Sequence, residues 1–320
     1  MKYRRLGTAG VKVSEVSLGN WLTHSFGIEN ERAAACTKAA FDLGINFFDT
    51  ANVYNRGGAE EFWGKELKQF RRDDLVLATK VFFPMSDNVN DRGLSRKNIT
   101  RGVEASLRRL QTDYIDLYQC HRYDSEVPVF EVVRAMDDLI RQGKITYWGV
   151  SEWPALQIKN ACEIARTLGA CPPVSNQPEY SIAARRLETN GVQSACLQEG
   201  MGMVIWSPLK QGVLTGKYSG GKKPAGTRGA DAKMSGFFPD LTTDLPHKVD
   251  QLRPIAEKHR ISLAQLALAW LLHRDAVSSV IIGATKPEQV KENAAAIDVG
   301  LTQEDLEKID SIFPAANWPG

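Results

Sequence analysis

Four polar side chains follow apolar runs of the chain, at the points where strands of a parallel sheet would end. Asp49 comes directly after the run 45–48, Lys80 after 75–79 and His121 after 115–120. Tyr54 lies five residues beyond Asp49, in the connection that follows. Because the catalytic residues of an α/β barrel gather where its strands end, we predict that these four side chains form one catalytic group.

The chemistry that this set predicts is proton delivery to a carbonyl oxygen while hydride reaches the carbonyl carbon. A tyrosine has an ordinary pKa of about 10, so it is a reluctant acid or base near neutral pH. A nearby ammonium favours the phenolate, and we therefore expect Lys80 beside Tyr54, lowering its pKa. Asp49 would make the burial of Lys80 tolerable, and neutral His121 would hydrogen-bond the carbonyl oxygen.

Each of the four residues has a structural alternative when it is considered alone. Asp49 and Lys80 could be an ion pair at strand ends, Tyr54 a loop aromatic, and His121 a hydrogen-bonded histidine of the core. Their occurrence on three successive strand ends, in one order, favours the catalytic interpretation.

Strand-like apolar runs alternate with amphipathic helical patterns, which is typical of a parallel sheet covered by helices. Successive strand ends lie 26 to 41 residues apart until the last step of 76, and a βα unit needs about 30 residues. Eight units predict a (β/α)8 TIM barrel, with a doubly wound open sheet as the alternative. The runs are Val16–Leu18, Ile45–Phe48, Leu75–Thr79, Ile115–Tyr118, Ile145–Val150, Val174–Asn176, Met203–Trp206 and Ser279–Ile282.

Two additions to the barrel are predicted, an N-terminal β-hairpin and a long insertion after strand 7. Residues 3–14 surround a turn signal at 7–10. The insertion runs from Lys210 to about Leu245 and is too long for a passive connection, so we expect a lid or binding loop. Ser95 and Thr285 are the predicted helix caps. The helical patterns are Glu31–Leu43, Ser95–Leu110, Val127–Arg141, Ala155–Leu168 and Pro287–Ile297.

Composition narrows the functional class. The 320 residues, 43% of them hydrophobic, can form one large core, and we predict a single barrel domain over residues 1–320. A net charge of +2 favours neither nucleic acid nor a membrane surface as an obligate partner. Five cysteines without a C-x-x-C pair predict no disulfide framework and no metal site. Residues 1–6 are charged without an apolar run, so we expect no signal peptide. The most apolar stretch, 261–272, is too short to span a bilayer, and we expect a cytoplasmic protein.

The segments around the four residues resemble the Asp-Tyr-Lys-His motifs of the aldo-keto reductases. They are Phe47-Phe48-Asp49-Thr50-Ala51-Asn52-Val53-Tyr54, Ala78-Thr79-Lys80 and Gln119-Cys120-His121. The resemblance continues through 149–153, 176–181, 206–209 and 283–293 and covers almost the whole chain. Residues 93–97, 147–149 and 216–218 are most similar to bacterial relatives of voltage-gated potassium channel β-subunits.

This resemblance implies that NADPH binds across the barrel mouth, and no G-x-G-x-x-G motif follows a strand. Ser151 and Gln177 would hold the carboxamide, and Trp206 would stack on the nicotinamide. Lys217 and Arg228 would meet the phosphates. The other implied cofactor contacts are Gly19, Asn20, Trp21, Ser207, Pro208, Leu209, Gly212, Gly283, Thr285, Gln289, Glu292 and Asn293.

Two positions depart from the pattern that many family members share. Glu152 stands where many have asparagine, which weakens the expected contact with the carboxamide. Gln289 stands where many have an arginine that pairs with the 2′-phosphate, so NADH is possible beside NADPH. Lys286, Lys217 or Arg228 could supply the missing charge.

The implied reaction is the reduction of a small aldehyde or ketone to an alcohol, with Tyr54 as the general acid. We expect aromatic side chains to frame the substrate pocket, which suits aldehydes with aromatic or aliphatic bodies. The expected pocket residues are Trp21, Tyr54, Phe82, His121 and Trp153, with Phe83, Tyr123 and Trp318 as further candidates.

Two other functions remain open. The chain could be a cofactor-sensing accessory subunit with slow turnover, bound to a channel or another membrane protein, and a ring-shaped homo-oligomer would then be possible. His121 argues against a purely regulatory role, because channel subunits often carry another residue there. A barrel hydrolase or isomerase with Asp49 or Glu152 as base is the third interpretation, although no metal cluster or nucleophile–base pair is apparent in the sequence.

Overall fold

The computed structural model describes residues 1–21, 30–230, 238 and 241–315, and a closed barrel of parallel strands lies at its centre. The strands are β1 Tyr3–Arg5, β2 Lys12–Ser14, β3 Val16–Gly19, β4 Phe47–Asp49, β5 Val76–Val81, β6 Ile115–Cys120, β7 Ile145–Ser151, β8 Ser175–Gln177, β9 Gly202–Ile205 and β10 Val277–Ile282. The order around the barrel is β10-β3-β4-β5-β6-β7-β8-β9. This confirms the predicted (β/α)8 barrel and excludes the open sheet.

Burial explains why the strands are apolar along their whole length. Every residue of β4, β5, β9 and β10 is buried, because side chains alternate between the barrel interior and the surrounding helices. The described α-helices are Asn30–Asp42, Gly58–Glu66, Arg96–Leu110, Val129–Arg141, Ala155–Leu168, Val192–Gln198, Leu245–Asp250, Arg253–His259, Leu263–Leu272, Pro287–Ala294 and Gln303–Ile312.

The predicted hairpin is present and closes the end of the barrel at which the strands begin. Strands β1 and β2 pair antiparallel, and Leu6 and Val13 pack in one buried cluster with Phe47 and Val204 of the barrel. Gly7 has a φ of +60°, and a Cβ there would collide with the Gly200 carbonyl oxygen. The hairpin therefore leaves the opposite end, where the strands finish, available for a site.

One of the two predicted helix caps is correct. The Ser95 side chain accepts a hydrogen bond from the Asn98 amide at 3.2 Å and caps the helix that follows. The prediction for Thr285 is wrong, because Pro287 is the first helical residue and the cap position falls on Lys286. Thr285 instead donates its backbone N–H to Gln289 Oε1 at 2.8 Å.

The insertion after β9 consists of short 3₁₀ turns fastened to the barrel. The turns are Lys210–Thr215, Ser219–Gly221 and Arg228–Ala230; residues 231–237 and 239–240 lie outside the described part of the chain. Ser219 donates to Asp250 at 2.6 Å, and Lys210 forms an ion pair with Glu179, just after β8, at 3.0 Å. These contacts hold the described part of the insertion beside the barrel mouth.

The described ranges contain neither a membrane-spanning helix nor a disulfide. No helix there has the length and apolarity needed to cross a membrane. The apolar stretch 261–272 forms the buried helix Leu263–Leu272, with a capping box at Ser262 and Gln265. All five cysteines are free, and Cys171 is exposed while the other four are buried.

Candidate active site

Three neighbouring strands bring the four candidate catalytic residues together at the end of the barrel where strands finish. Asp49 ends β4, Lys80 lies near the end of β5, and His121 directly follows β6. Tyr54 opens the 3₁₀ turn Tyr54–Gly57 in the connection after β4. Because β4, β5 and β6 are adjacent in the barrel, their ends converge on one place.

Lys80 is the centre of the polar contacts among these residues. Its side chain is fully buried, and Nζ donates to Asp49 Oδ2 at 2.5 Å and to the Thr50 carbonyl at 2.7 Å. Nζ also lies 3.5 Å from the Tyr54 hydroxyl. Burial alone would lower the pKa of Lys80, but Asp49 and Tyr54 together outweigh it and the pKa is raised. The lysine is therefore an ammonium beside the tyrosine.

Two glutamine amides support the other oxygen of Asp49. Gln119 Nε2 and Gln177 Nε2 donate to Asp49 Oδ1 at 3.2 Å and 2.8 Å. Gln119 was not among the predicted site residues. Its signal was a polar amide near the end of a mostly apolar strand, since a buried amide needs hydrogen-bond partners.

The pKa of Tyr54 is raised, and not lowered as the sequence suggested. The Lys80 charge does lower this pKa, but burial of the phenol raises it by more. Charging a phenol is costly in a buried site, because the phenolate loses its hydration. Tyr54 therefore holds its proton at neutral pH, as a proton donor must.

His121 is buried and uncharged. Burial, together with the charges of Lys80 and Arg122, lowers the pKa of this histidine well below its ordinary value. Its ring packs edge-on against Tyr54 and Phe83, with centroids 5.9 Å and 4.9 Å away. Nδ1 is buried and makes no hydrogen bond within the described residues. A neutral imidazole beside the tyrosine can donate a hydrogen bond from its N–H to a substrate oxygen.

A cavity of about 1530 Å³ opens at this end of the barrel, and Asp49, Tyr54 and His121 are in its wall. Nearly all residues that the sequence associated with a cofactor also line it, from the strand ends, the insertion and the segment after β10. Those in the wall are Gly19, Trp21, Ser151, Gln177, Trp206, Ser207, Pro208, Leu209, Gly212, Lys217, Arg228, Gly283, Thr285, Gln289, Glu292 and Asn293.

The structure does not bring every expected residue to this wall. Asn20 is buried and donates to the Ala59 carbonyl at 2.9 Å. Trp153, 1% exposed, packs in the core against Tyr123, which is also absent from the wall. Phe82 lies behind Phe83, which takes its place at the cavity. Trp318 lies outside the described residues.

Glu152, one of the two departures from the family pattern, holds the Trp206 ring. Glu152 has a left-handed φ of 56°. Its Oε1 accepts hydrogen bonds from the Trp206 indole at 2.8 Å and from the Glu179 backbone at 2.5 Å. The carboxylate is thus engaged between the ends of β7, β8 and β9, which makes it a positioning group for the indole.

The cations of the insertion fit an anionic ligand such as a dinucleotide diphosphate. Lys217 and Arg228 line the cavity, and neither has a carboxylate partner among the described residues. Desolvation at the cavity wall, aided by the Arg228 charge, lowers the pKa of Lys217, and burial lowers that of Arg228 to about 10. Gly212 admits the lysine, because a Cβ there would lie 2.9 Å from Nζ. Two cations without counter-charge are stabilised by phosphates.

A carboxamide could also be held at the strand ends. Ser151 Oγ donates to the Gln177 carbonyl at 2.8 Å. Gln177 Nε2 donates a hydrogen bond to Asp49, so the side-chain oxygen of Gln177 can accept one from a ligand in the cavity. The donor set from Ser151 to Arg228 therefore fits a nicotinamide dinucleotide along the cavity.

Comparison with known proteins agrees with this geometry. A model of the aldo/keto reductase family matches residues 15–313. A probable voltage-gated potassium channel subunit beta of Oryza sativa subsp. japonica is 43% identical, over 98% of this chain and 96% of the relative. A probable voltage-gated potassium channel subunit beta of Arabidopsis thaliana is 42% identical, over 98% of this chain and 97% of the relative. A putative voltage-gated potassium channel subunit beta of Schizosaccharomyces pombe is 43% identical, over 97% of this chain and 93% of the relative. The family resemblance seen in the sequence is confirmed.

Proposed function

The chain belongs to the aldo/keto reductase family, and we propose that it reduces aldehydes or ketones to alcohols with NADPH. The observation that carries this proposal is the contact of buried Lys80 with both Asp49 and the Tyr54 hydroxyl, at the wall of one large cavity. An oxidoreductase of this kind needs a proton donor at the place where it binds its cofactor, and this arrangement supplies one.

Residues of this chain would hold the cofactor along the cavity. Ser151 and Gln177 would bind the carboxamide, Trp206 would face the nicotinamide, and Lys217 and Arg228 would bind the phosphates. When bound, the nicotinamide supplies the hydride. A preference for NADPH over NADH needs a cation at the 2′-phosphate, and Lys286, Lys217 or Arg228 at the cavity wall would supply it. Gln289 cannot, because it is uncharged and its Oε1 already accepts from Thr285.

The chain's own residues would handle the proton. His121, neutral because of its burial, orients the carbonyl oxygen by a hydrogen bond. Tyr54 gives its proton to that oxygen, and the Lys80 ammonium stabilises the phenolate left behind. Asp49 keeps Lys80 charged, so the phenolate forms beside a cation although the site is buried.

The variant Tyr54→Phe tests this role, since it removes the hydroxyl and keeps the ring. NADPH binding, measured by the fluorescence of the bound cofactor, should be retained, because the phenyl ring still fills the wall. Turnover of 4-nitrobenzaldehyde should fall by about 10²- to 10⁴-fold, the usual contribution of a general acid. A variant that reduces this aldehyde at the wild-type rate would contradict the assignment.

A second function is favoured by the names of the relatives, which are channel β-subunits at 42–43% identity. The chain would then sense the cofactor for a membrane-protein partner, as a homo-oligomer with slow turnover. A tightly bound NADPH that stays reduced when aldehyde is added would support this function.

We also propose a single domain over residues 1–320, supported by the extent of the family match, and a cytoplasmic location, supported by the free cysteines.

A further inference from the structure

We propose that Arg122 selects carbonyl substrates that carry a carboxylate or a similar anionic group. This inference rests on the proposed reductase function and names its substrate class. The reaction itself is unchanged: the carbonyl carbon gains a hydride from NADPH, the oxygen gains the Tyr54 proton, and the anionic group is only bound.

Arg122 lies at the reacting end of the cavity. It directly follows His121, and both residues line the wall together with Tyr54 and Phe83. Its guanidinium lies 5.5 Å from the Phe83 ring centroid. The Arg122 charge also helps to lower the pKa of both His121 and Tyr54, although burial has the larger effect on each. A group bound to Arg122 is therefore within reach of the reacting atoms.

The guanidinium has donors to spare. Its Nη1 donates to the His121 carbonyl at 2.6 Å and to Ser151 Oγ at 3.4 Å. Among the described residues, no acceptor bonds Nε or Nη2, and no carboxylate pairs with this arginine. Arginine presents five N–H donors in a planar fork that matches a carboxylate, so the unused donors suit an anionic ligand.

The other cations that could compete for such a group have different surroundings. Lys210 forms an ion pair with Glu179 at 3.0 Å. Lys80 is fully buried and paired with Asp49. Lys217 and Arg228 belong to the insertion, where the cofactor phosphates would bind. Arg122 is thus the cation beside Tyr54 and His121 that is left for the substrate, within the described part of the wall.

Pairs of substrates that carry either a carboxylate or its uncharged methyl ester test this inference. We would compare 4-carboxybenzaldehyde with methyl 4-formylbenzoate, and succinic semialdehyde with its methyl ester, to cover two lengths. The measured quantity is the ratio of kcat/KM for acid over ester at saturating NADPH. The wild type should prefer the acids, and in Arg122→Met this ratio should fall by about 10- to 100-fold, the size of a charge-assisted hydrogen bond.

Two further variants make the result specific. Lys248→Met removes a positive charge from the same cavity at the helix Leu245–Asp250. It should leave the ratio unchanged, whereas a matching fall would show that net charge alone is responsible. Arg122→Lys keeps the charge without the fork and should give an intermediate ratio. It also keeps the test usable if the methionine variant is unstable.

The outcomes separate this inference from the function on which it rests. If esters are reduced but the wild type shows no preference for acids, or if Arg122→Met lowers both rates equally, Arg122 does not select substrates. If neither acids nor esters are reduced while NADPH binds, the reductase function fails, and the inference fails with it.

Discussion

At the scale of single residues, the site depends on opposite effects of burial on two neighbouring groups. Burial raises the pKa of Tyr54 and lowers that of His121, so both groups are uncharged near neutral pH. Lys80 stays charged beside Tyr54 because Asp49, together with Tyr54, compensates for the effect of burial on its pKa. The phenolic proton therefore has a cation behind it that stabilises the phenolate once the proton has left.

These pKa directions predict the pH dependence of reduction. Activity requires protonated Tyr54, so it should fall only as pH rises through a pKa above the ordinary value of about 10. It also requires neutral His121, so it should fall only as pH drops through a pKa below about 6.5. We expect kcat/KM for 4-nitrobenzaldehyde to be constant between these limits.

The measurement is a pH profile of kcat/KM at saturating NADPH, with a stability check at each pH. The prediction for Tyr54 is wrong if activity falls with an apparent pKa between the two limits and this fall is absent in Tyr54→Phe. The prediction for His121 is wrong if such a fall is absent in His121→Gln. A limb that persists in both variants belongs to another group.

At the scale of elements, the strand ends could be predicted and the loops could not. Eight apolar runs at nearly regular spacing fixed the barrel, and hence the positions of Asp49, Lys80 and His121. Phe82 and Phe83 could not be told apart, because β5 ends at Val81 and the alternation of side chains ends with it. Gln119 was missed because its partner Asp49 comes from another strand. Arg122 was missed because its place beside Ser151 and Phe83 at the cavity appears only in the folded chain.

The connection after β7 gives a prediction at this scale. Glu152 bridges Trp206 and the Glu179 backbone, so Glu152→Ala should free the indole that would face the nicotinamide. We expect about tenfold weaker NADPH binding, measured by cofactor fluorescence, which is the size of one hydrogen bond to a charged group.

The matched control is Glu152→Gln, whose amide oxygen can still accept from the indole. It should recover most of the lost affinity, although it removes the charge. If both variants bind NADPH equally weakly, the charge matters and the positioning of Trp206 does not. If alanine causes no loss at all, the indole needs no support from Glu152.

At the scale of the whole molecule, the two ends of the barrel have different tasks. The hairpin closes one end through Leu6 and Val13, while the cavity opens at the other between the strand ends and the insertion. Proton donor, proposed cofactor contacts and Arg122 all share this one cavity. A reductase and a cofactor-sensing subunit would use the same wall, so turnover decides between them.

The most direct test of the central claim is to mix the purified protein with NADPH and then add 4-nitrobenzaldehyde, following the fluorescence of the bound cofactor. We expect the fluorescence to be lost as the cofactor is oxidised, with an equal amount of alcohol formed, and to persist in Tyr54→Phe. A wild-type complex that binds NADPH but keeps it reduced would contradict the reductase function and favour the sensing subunit.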